Sequence, residues 1–224
     1  MAGLAYVLGN GAMSNGIHEI DDTDLLLIFG YNGASSDPRI TESGRIADLW
    51  LPIKNGTNMA LVNAFANVLI NKNLYDKEYV RDHTDGFEKY SEIVRKYTPE
   101  YVEKITHVNA GDIVKAMEMY SGAENAMILY GMGVCQFAQA VDVVKGLASL
   151  ALLTGNFGRA NVGIGPVRGQ NNVQGACDMG VLPNVYPGYQ SVTDSKVRKK
   201  FEKAWKVKLS DKIGCHLTEV PRKT

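Results

Sequence analysis

An α/β fold with a mainly parallel sheet and flanking helices is what the sequence predicts, on three observations. Two short apolar runs each close on glycine, Leu25-Leu26-Leu27-Ile28-Phe29-Gly30 and Ala126-Met127-Ile128-Leu129-Tyr130-Gly131. Stretches with apolar residues at helical spacing alternate with them. The 224 residues are 45% hydrophobic and 21% charged, which suits a folded chain with a sizeable core and excludes a disordered one. A strand covered on both faces reads as an unbroken apolar run, and strands alternating with helices pair in parallel.

Taken in order, Leu25–Phe29 is the first such strand, predicted to be buried on both faces. The polar turn Lys54-Asn55-Gly56-Thr57 leads into a helix over 58–69. Residues 71–107 are rich in charge and tyrosine and predict two amphipathic helices, with the tyrosines as packing anchors whose hydroxyls stay wet. Asn109 is placed to cap a helix over 110–120. After the strand Ala126–Tyr130, one long helix is predicted from Val134 to Leu153, ending at Gly155-Asn156-Phe157-Gly158. From Leu182 onward the chain is rich in Pro, Gly and Lys, and Lys196–Trp205 reads as a basic helix. The organisation predicted is an α/β domain over 1–165 and a second segment over 166–224.

Lys+Arg and Asp+Glu both number 24, so no global field favours nucleic acid or an acidic membrane, and an anion must be held locally. The three cysteines, Cys135, Cys177 and Cys215, are far apart, which argues against a disulfide framework and against metal-ligand spacing. Cys135 is read as a small buried filler and Cys177 as structural. No histidine pairs at ligand spacing, so no metal ligand is assigned within the chain. With neither a signal-like start nor a long apolar run, the expected location is cytoplasmic and off the membrane.

The most polar block is Val167-Arg168-Gly169-Gln170-Asn171-Asn172-Val173-Gln174-Gly175-Ala176-Cys177-Asp178-Met179-Gly180. It buries little, and its arginine, amides and glycines suit a grip on a polar, anionic ligand. Four further loops stand where the strands of a parallel sheet would end or near there: Gly30-Tyr31-Asn32, Asp37-Pro38-Arg39, Lys54-Asn55-Gly56-Thr57-Asn58 and Gly131-Met132-Gly133. Ligands bind at that edge in open parallel sheets, so the four together point to a nucleotide-type ligand. No G-x-G-x-x-G follows the first strand and no P-loop occurs, which excludes NAD or ATP held in the usual manner.

That block, with Leu182-Pro183 and Pro187-Gly188-Tyr189-Gln190, resembles the catalytic subunits of molybdenum- or tungsten-dependent formate dehydrogenases, within the molybdopterin oxidoreductase (dimethyl-sulfoxide-reductase-like) family. The likeness continues through Gly9-Asn10-Gly11-Ala12-Met13-Ser14-Asn15, Arg45-Ile46-Ala47-Asp48, Gly131-Met132-Gly133 and Leu153-Thr154-Gly155-Asn156. It implies a Rossmann-like domain cradling one molybdopterin guanine dinucleotide of a bis-dinucleotide Mo or W centre. Asn32, Asp37, Arg39, Lys54, Gly56 and Asn58 would then face the guanosine and diphosphate. Met132, Gly133, Gln136 and Gln170 would lie along the pterin. Arg168 would stand beside the metal and pair with formate, a role that an always-charged planar fork fits.

The reaction implied is oxidation of formate to carbon dioxide, with electrons passing on through a [4Fe–4S] cluster to an iron–sulfur or flavin subunit. Nitrate reductase is the alternative inside the family, and a non-catalytic nucleotide-binding module the alternative outside it. The family's metal ligand, a selenocysteine or cysteine followed by histidine, belongs just upstream of Ala2-Gly3-Leu4-Ala5, and its [4Fe–4S]-binding cysteines are absent from this chain. The chain therefore reads as an internal fragment that needs the remainder of its subunit and is inactive alone. The family also places a helix and a strand where Asn32-Gly33-Ala34-Ser35-Ser36 runs straight into Asp37-Pro38-Arg39. A parallel crossover takes about a dozen residues or more, so this link is too short for one.

Overall fold

A computed structural model gives the fold for residues 2–9, 11–30, 42–167, 169 and 172–215, the described residues. Two separately packed units divide the chain, Met1–Val167 and Arg168–Thr224.

In the first unit, β1 (Leu25–Phe29), β2 (Ala126–Tyr130) and β3 (Gly163–Pro166) form a parallel sheet in the order β1-β2-β3. Leu25 pairs with Ala126 and Phe29 with Tyr130, while Met127 pairs with Gly163 and Tyr130 with Pro166. The central strand β2 is buried along its whole length, as its apolar run predicts. β1 departs from expectation: its burial alternates, and Leu26 and Ile28 are 38% and 40% exposed. It is one of the two edge strands of the described sheet, and only Leu25, Leu27 and Phe29 face the core. β3 escapes sequence reading because Gly-Ile-Gly-Pro has almost no intrinsic strand preference, yet all four residues are buried.

Around the sheet stand α1 (Ala2–Leu8), α2 (Glu42–Ile46), α3 (Asn58–Asn71), α4 (Lys77–His83), α5 (Phe87–Val94), α6 (Pro99–Thr106), α7 (Ala110–Gly122), α8 (Met132–Cys135) and α9 (Ala140–Leu153). The core joins Leu61, Phe65 and Leu69 of α3 to Ile113, Met117 and Tyr120 of α7, Leu147 and Leu150 of α9, and Ile128 and Tyr130 of β2. Each such aliphatic side chain contributes about 1.5–3 kcal/mol by leaving water. A buried polar bond adds direction to this packing. Asn67, 2% exposed on α3, donates through Nδ2 to the carbonyls of Val94 at 3.0 Å and Arg95 at 3.1 Å, satisfying the end of α5.

Residues 71–107 hold three helices rather than two. Local caps decide this: Asp76 Oδ1 accepts from Tyr79 N, Gly86 opens α5 in the left-handed region, and Thr98 Oγ1 accepts from Tyr101 N with Pro99 in the first turn. The wet-hydroxyl expectation fails for Tyr90, whose hydroxyl is buried beside Ser149, and burial pushes its pKa far up. The predicted single helix over 134–153 is also two. α8 ends at Cys135, Gln136 leaves helical geometry, and α9 starts at Ala140. Apolar periodicity runs through the break because Val134, Val143 and Val144 all face the core.

The second unit is described by itself. α10 (Val173–Asp178) is followed by a hairpin of β4 (Val185–Tyr186) and β5 (Gln190–Ser191), with a 3-10 turn over Pro187–Tyr189. α11 (Ser195–Trp205) starts at Asp194, which accepts from Lys196 N and Val197 N. Tyr186, Val192 and Phe201 form its small core, with the Tyr186 and Phe201 rings 4.9 Å apart. Cys177 is buried in this unit, as expected of a structural residue.

Candidate functional site

The two ends of the parallel sheet differ in how their polar groups are used. At the amino end, before β1, β2 and β3, those groups are committed to the chain itself. Glu19 accepts from Asn15 Nδ2 at 2.9 Å, Asn161 N at 2.7 Å and Gly16 N at 3.0 Å. These bonds hold its carboxyl below the usual value, the Asn15 amide foremost. Thr23 Oγ1 donates to Asn161 O at 2.7 Å, Asp24 accepts from Asn125 N at 2.9 Å, and Arg159 reaches Asn125 Oδ1 and Glu124 O. A shallow depression there is lined by Ser14, Asn15, Glu19, Phe157, Gly158, Arg159 and Ala160. We read it as structural: ligands of open parallel sheets sit at the other end.

At the carboxyl end the chain leaves polar groups uncommitted. The turn Lys54–Thr57 is closed by Thr57 N and Thr57 Oγ1, which donate to Lys54 O at 3.2 Å and 2.6 Å. Gly56 takes φ 83° at its third position, a conformation that suits glycine. Lys54 N donates to Thr106 O at 2.9 Å, hanging the turn from the end of α6. The turn delivers Asn58 to the first position of α3, where it is 8% exposed.

Asn58 Nδ2 reaches Gly133 O at 3.5 Å, the outer limit of a hydrogen bond. Gly133 N in turn donates to Gly30 O at 2.9 Å, and Gly131 N to Phe29 O at 3.2 Å. A Cβ on Gly30 would lie 2.8 Å from the Gly133 carbonyl carbon, so these glycines serve a backbone-on-backbone contact between the two strand ends. Met132 is 51% exposed, and Gln136 N donates to Met132 O at 3.0 Å, closing the single turn of α8.

The structure thus brings three loops to one place. Asn58 touches Gly133, Lys54 and Gly56 stand in the turn just before it, and Met132 opens α8 with Gln136 just past its end. The side chains of Lys54 and Gln136 are exposed and have no partner among the described residues. The N-terminal end of the 14-residue α3 adds a favourable potential for an anion. An exposed cation, side-chain amides and a helix N-terminal end suit a polyanionic, hydrogen-bonding ligand such as a dinucleotide. Asn32, Asp37, Arg39, Arg168 and Gln170, also expected at the site, lie outside the described residues.

One expectation is corrected. Cys135 is exposed on α8 rather than a buried filler, because the helix ends there before turning back to the core. Asn58, expected at the guanosine and diphosphate end, stands beside the Gly133 turn with its amide nitrogen toward Gly133 O. Gly30 and Thr57 stand in loops that the sequence singles out, and the structure adds their roles: Gly30 meets Gly133 backbone to backbone, and Thr57 closes the Lys54 turn. The glycine closing an apolar strand and the threonine closing a Lys-Asn-Gly turn were the signals available.

Comparison with known proteins adds three findings. The sequence profile described as Molybdopterin oxidoreductase matches residues 34–213. Formate dehydrogenase H of Escherichia coli (strain K12) is 51% identical over 245 positions, covering 100% of this chain and 34% of that protein. The F420-dependent formate dehydrogenase subunit alpha of Methanocaldococcus jannaschii is 45% identical, covering 98% of this chain and 36% of that protein. The chain therefore spans about a third of the length of these curated relatives. Among solved structures, acetylene hydratase from Pelobacter acetylenicus aligns over 59% of this chain and 17% of its own, with a TM-score of 0.53 and 33% identity.

Proposed function

The chain belongs to the molybdopterin oxidoreductase family, and from that premise we propose that it is the part of a formate dehydrogenase catalytic subunit that cradles one molybdopterin guanine dinucleotide. The observation that carries this reading is the junction of the Lys54–Asn58 turn, Gly30 and the Gly131–Gly133 turn at the carboxyl edge of the sheet, with the exposed Lys54 and Gln136 side chains unpaired among the described residues. The choice of formate is supported by the Val167–Gly180 block and by two relatives named as formate dehydrogenases. A hydratase on the same fold shows why the fold alone does not select the reaction.

The donor set fits the dinucleotide. Lys54 supplies a cation for the diphosphate, the turn through Gly56 brings backbone close to it, and α3 adds its N-terminal potential. Asn32, Asp37 and Arg39 are assigned to the guanosine end by resemblance. Met132 and Gly133 give the pterin an apolar ledge with a backbone edge, and the Gln136 and Gln170 amides offer it hydrogen bonds. When bound, the pterin-held Mo or W supplies a centre that accepts the two electrons of formate oxidation. Arg168 binds the formate carboxylate bidentately and holds it in one orientation. Asn58 keeps the two cofactor-facing turns in fixed relation and does not touch the substrate. The remainder of the subunit supplies the metal ligand and the [4Fe–4S] cluster, and an iron–sulfur or flavin subunit takes the electrons. The chain by itself does not turn over.

Titration of the chain with GDP and with extracted pterin cofactor tests the reading. Binding of the cofactor tighter than GDP supports it. GDP binding without pterin binding would make the chain a plain nucleotide module instead. Restored to a full-length, metal-loaded subunit, the segment should support formate-dependent dye reduction, and activity on nitrate but not formate would reverse the substrate assignment.

A further inference from the structure

The turn that carries Lys54 is anchored at both ends. At its inner end Asn58 meets Gly133, and at its outer end Lys54 N donates to Thr106 O at 2.9 Å. Thr106 is the last residue of α6, so its carbonyl is one of those that a helix end leaves without an internal partner. Such a carbonyl holds a neighbour in place only if the helix end is itself fixed.

The Thr106 side chain fixes it. Oγ1 donates to Val102 O at 2.9 Å, one turn back, and accepts from Val108 N at 3.2 Å, just past the helix end. The hydroxyl thus gives its hydrogen on one side and takes one on the other. Between them stands His107, left-handed at φ 63°, a conformation that a non-glycine residue keeps only where its contacts over-determine it. Thr106 and Val108 are 0% and 2% exposed, so solvent does not make good a bond lost there. Oγ1 therefore pins the backbone on both sides of the reversal, and with it the carbonyl that holds Lys54. Thr57 N and Oγ1 donate to Lys54 O, so the turn Lys54–Thr57 is closed on itself and follows its anchor as a unit.

We propose that Thr106 is the positioning residue of the diphosphate-binding turn, its hydroxyl fixing the carbonyl that holds Lys54 in place, a role that rests on the reading of this edge as a dinucleotide site. Thr106 is fully buried and meets no ligand. It acts by keeping the turn in its competent arrangement, and a turn that is competent only part of the time weakens apparent affinity by that fraction. By reciprocity, a ligand on Lys54 stabilises the Thr106 bonds in return.

Calorimetric titration of the chain with GDP and amide hydrogen exchange test this together. Thr106→Val, close in shape but without the hydroxyl, should weaken GDP binding about fivefold. Thr106→Ser keeps the hydroxyl and should stay within about twofold of the native affinity. Thr106→Val combined with Lys54→Ala should weaken binding no more than Lys54→Ala alone, because Thr106 acts through Lys54. Losses that multiply would make Thr106 a general stabiliser of the fold and overturn the proposal, as would an unchanged affinity in Thr106→Val. The native chain gives a reading that no variant's folding can spoil: GDP should slow exchange at the Val108 amide, which bonds to Thr106 Oγ1 and meets no ligand. Unchanged exchange there also overturns the proposal. A native chain that binds no GDP, or whose affinity Lys54→Ala leaves unchanged, removes the dinucleotide reading and the role of Thr106 with it. The proposal alone fails when Lys54→Ala weakens binding and Thr106→Val does not.

Discussion

Gly30 and Gly133 lie backbone against backbone, with Gly133 N donating to Gly30 O at 2.9 Å and no room for a Cβ on either residue. This contact joins the carboxyl ends of β1 and β2, and Asn58 fastens the start of α3 to the same point. The candidate site is the edge that this junction creates. Its residues come from three loops separated by long stretches of chain, so its integrity depends on the contact being short.

Substitution at the junction should cost stability in a defined order. A Cβ on Gly133 would lie 2.8 Å from Gly30 O, and backbone cannot yield as a flexible side chain does. Gly133→Ala should therefore lower stability by about 1–3 kcal/mol. Gly30→Ala meets the same crowding and also φ 58°, which adds about 1–2 kcal/mol. Urea unfolding of both variants gives the order, and a milder effect at Gly30 would contradict it.

Lys54 is expected to matter for the ligand and not for the fold. Its side chain is exposed and has no partner among the described residues, so Lys54→Ala should leave the thermal midpoint nearly unchanged. Cofactor or GDP affinity should fall about tenfold at low salt, as for loss of one charge-assisted contact. That difference should shrink at about 1 M salt, where exposed charges are screened. Calorimetric titration at two salt concentrations is the measurement.

Asn67→Leu should be among the more damaging single changes in the first unit. Arg95 O would lose its side-chain donor, and Val94 O would lose one of two, keeping Tyr97 N at 2.9 Å. The expected loss is about 1–3 kcal/mol, read from the urea midpoint. Asn67→Ala leaves room for water and should cost less.

Acid stability should depend on Glu19. Its folded carboxyl is held below its ordinary value of 4.5 by the Asn15, Asn161 and Gly16 bonds. A lowered folded pKa contributes stability that is present above 4.5 and lost as the pH falls through the folded value. Glu19→Gln should flatten that acid limb in denaturant midpoints taken at a series of pH values. An unchanged pH profile would remove Glu19 from this role.

Alkaline stability should depend on Tyr120. Its hydroxyl is fully buried near Thr154 and Asn156 without a well-formed hydrogen bond, and burial pushes its pKa up to about 12. A raised folded pKa contributes stability that is complete below the ordinary value of 10.0 and is lost as the pH rises toward about 12. Tyr120→Phe should remove that part of the alkaline loss. Ultraviolet titration of the phenols should show Tyr120 ionising only as the chain unfolds.

The sequence by itself determined the class of fold, the family and a few helix starts, because those depend on signals a few residues wide. Apolar runs closing on glycine marked β1 and β2, Asn109 marked the start of α7, and the Val167–Gly180 block marked the family that the profile and relatives bear out. Only the tertiary structure decided the rest. Gly163–Pro166 is a strand because β2 offers it partners, not because of its own residues. β1 alternates in burial because only Leu25, Leu27 and Phe29 turn to the core, which an apolar run cannot reveal. Cys135 faces out because α8 ends after a single turn, and Asn58 is a latch because Gly133 folds back onto Gly30. Each of these turns on a neighbour far away in sequence, and the free energy of such contacts belongs to the pair and not to either residue alone.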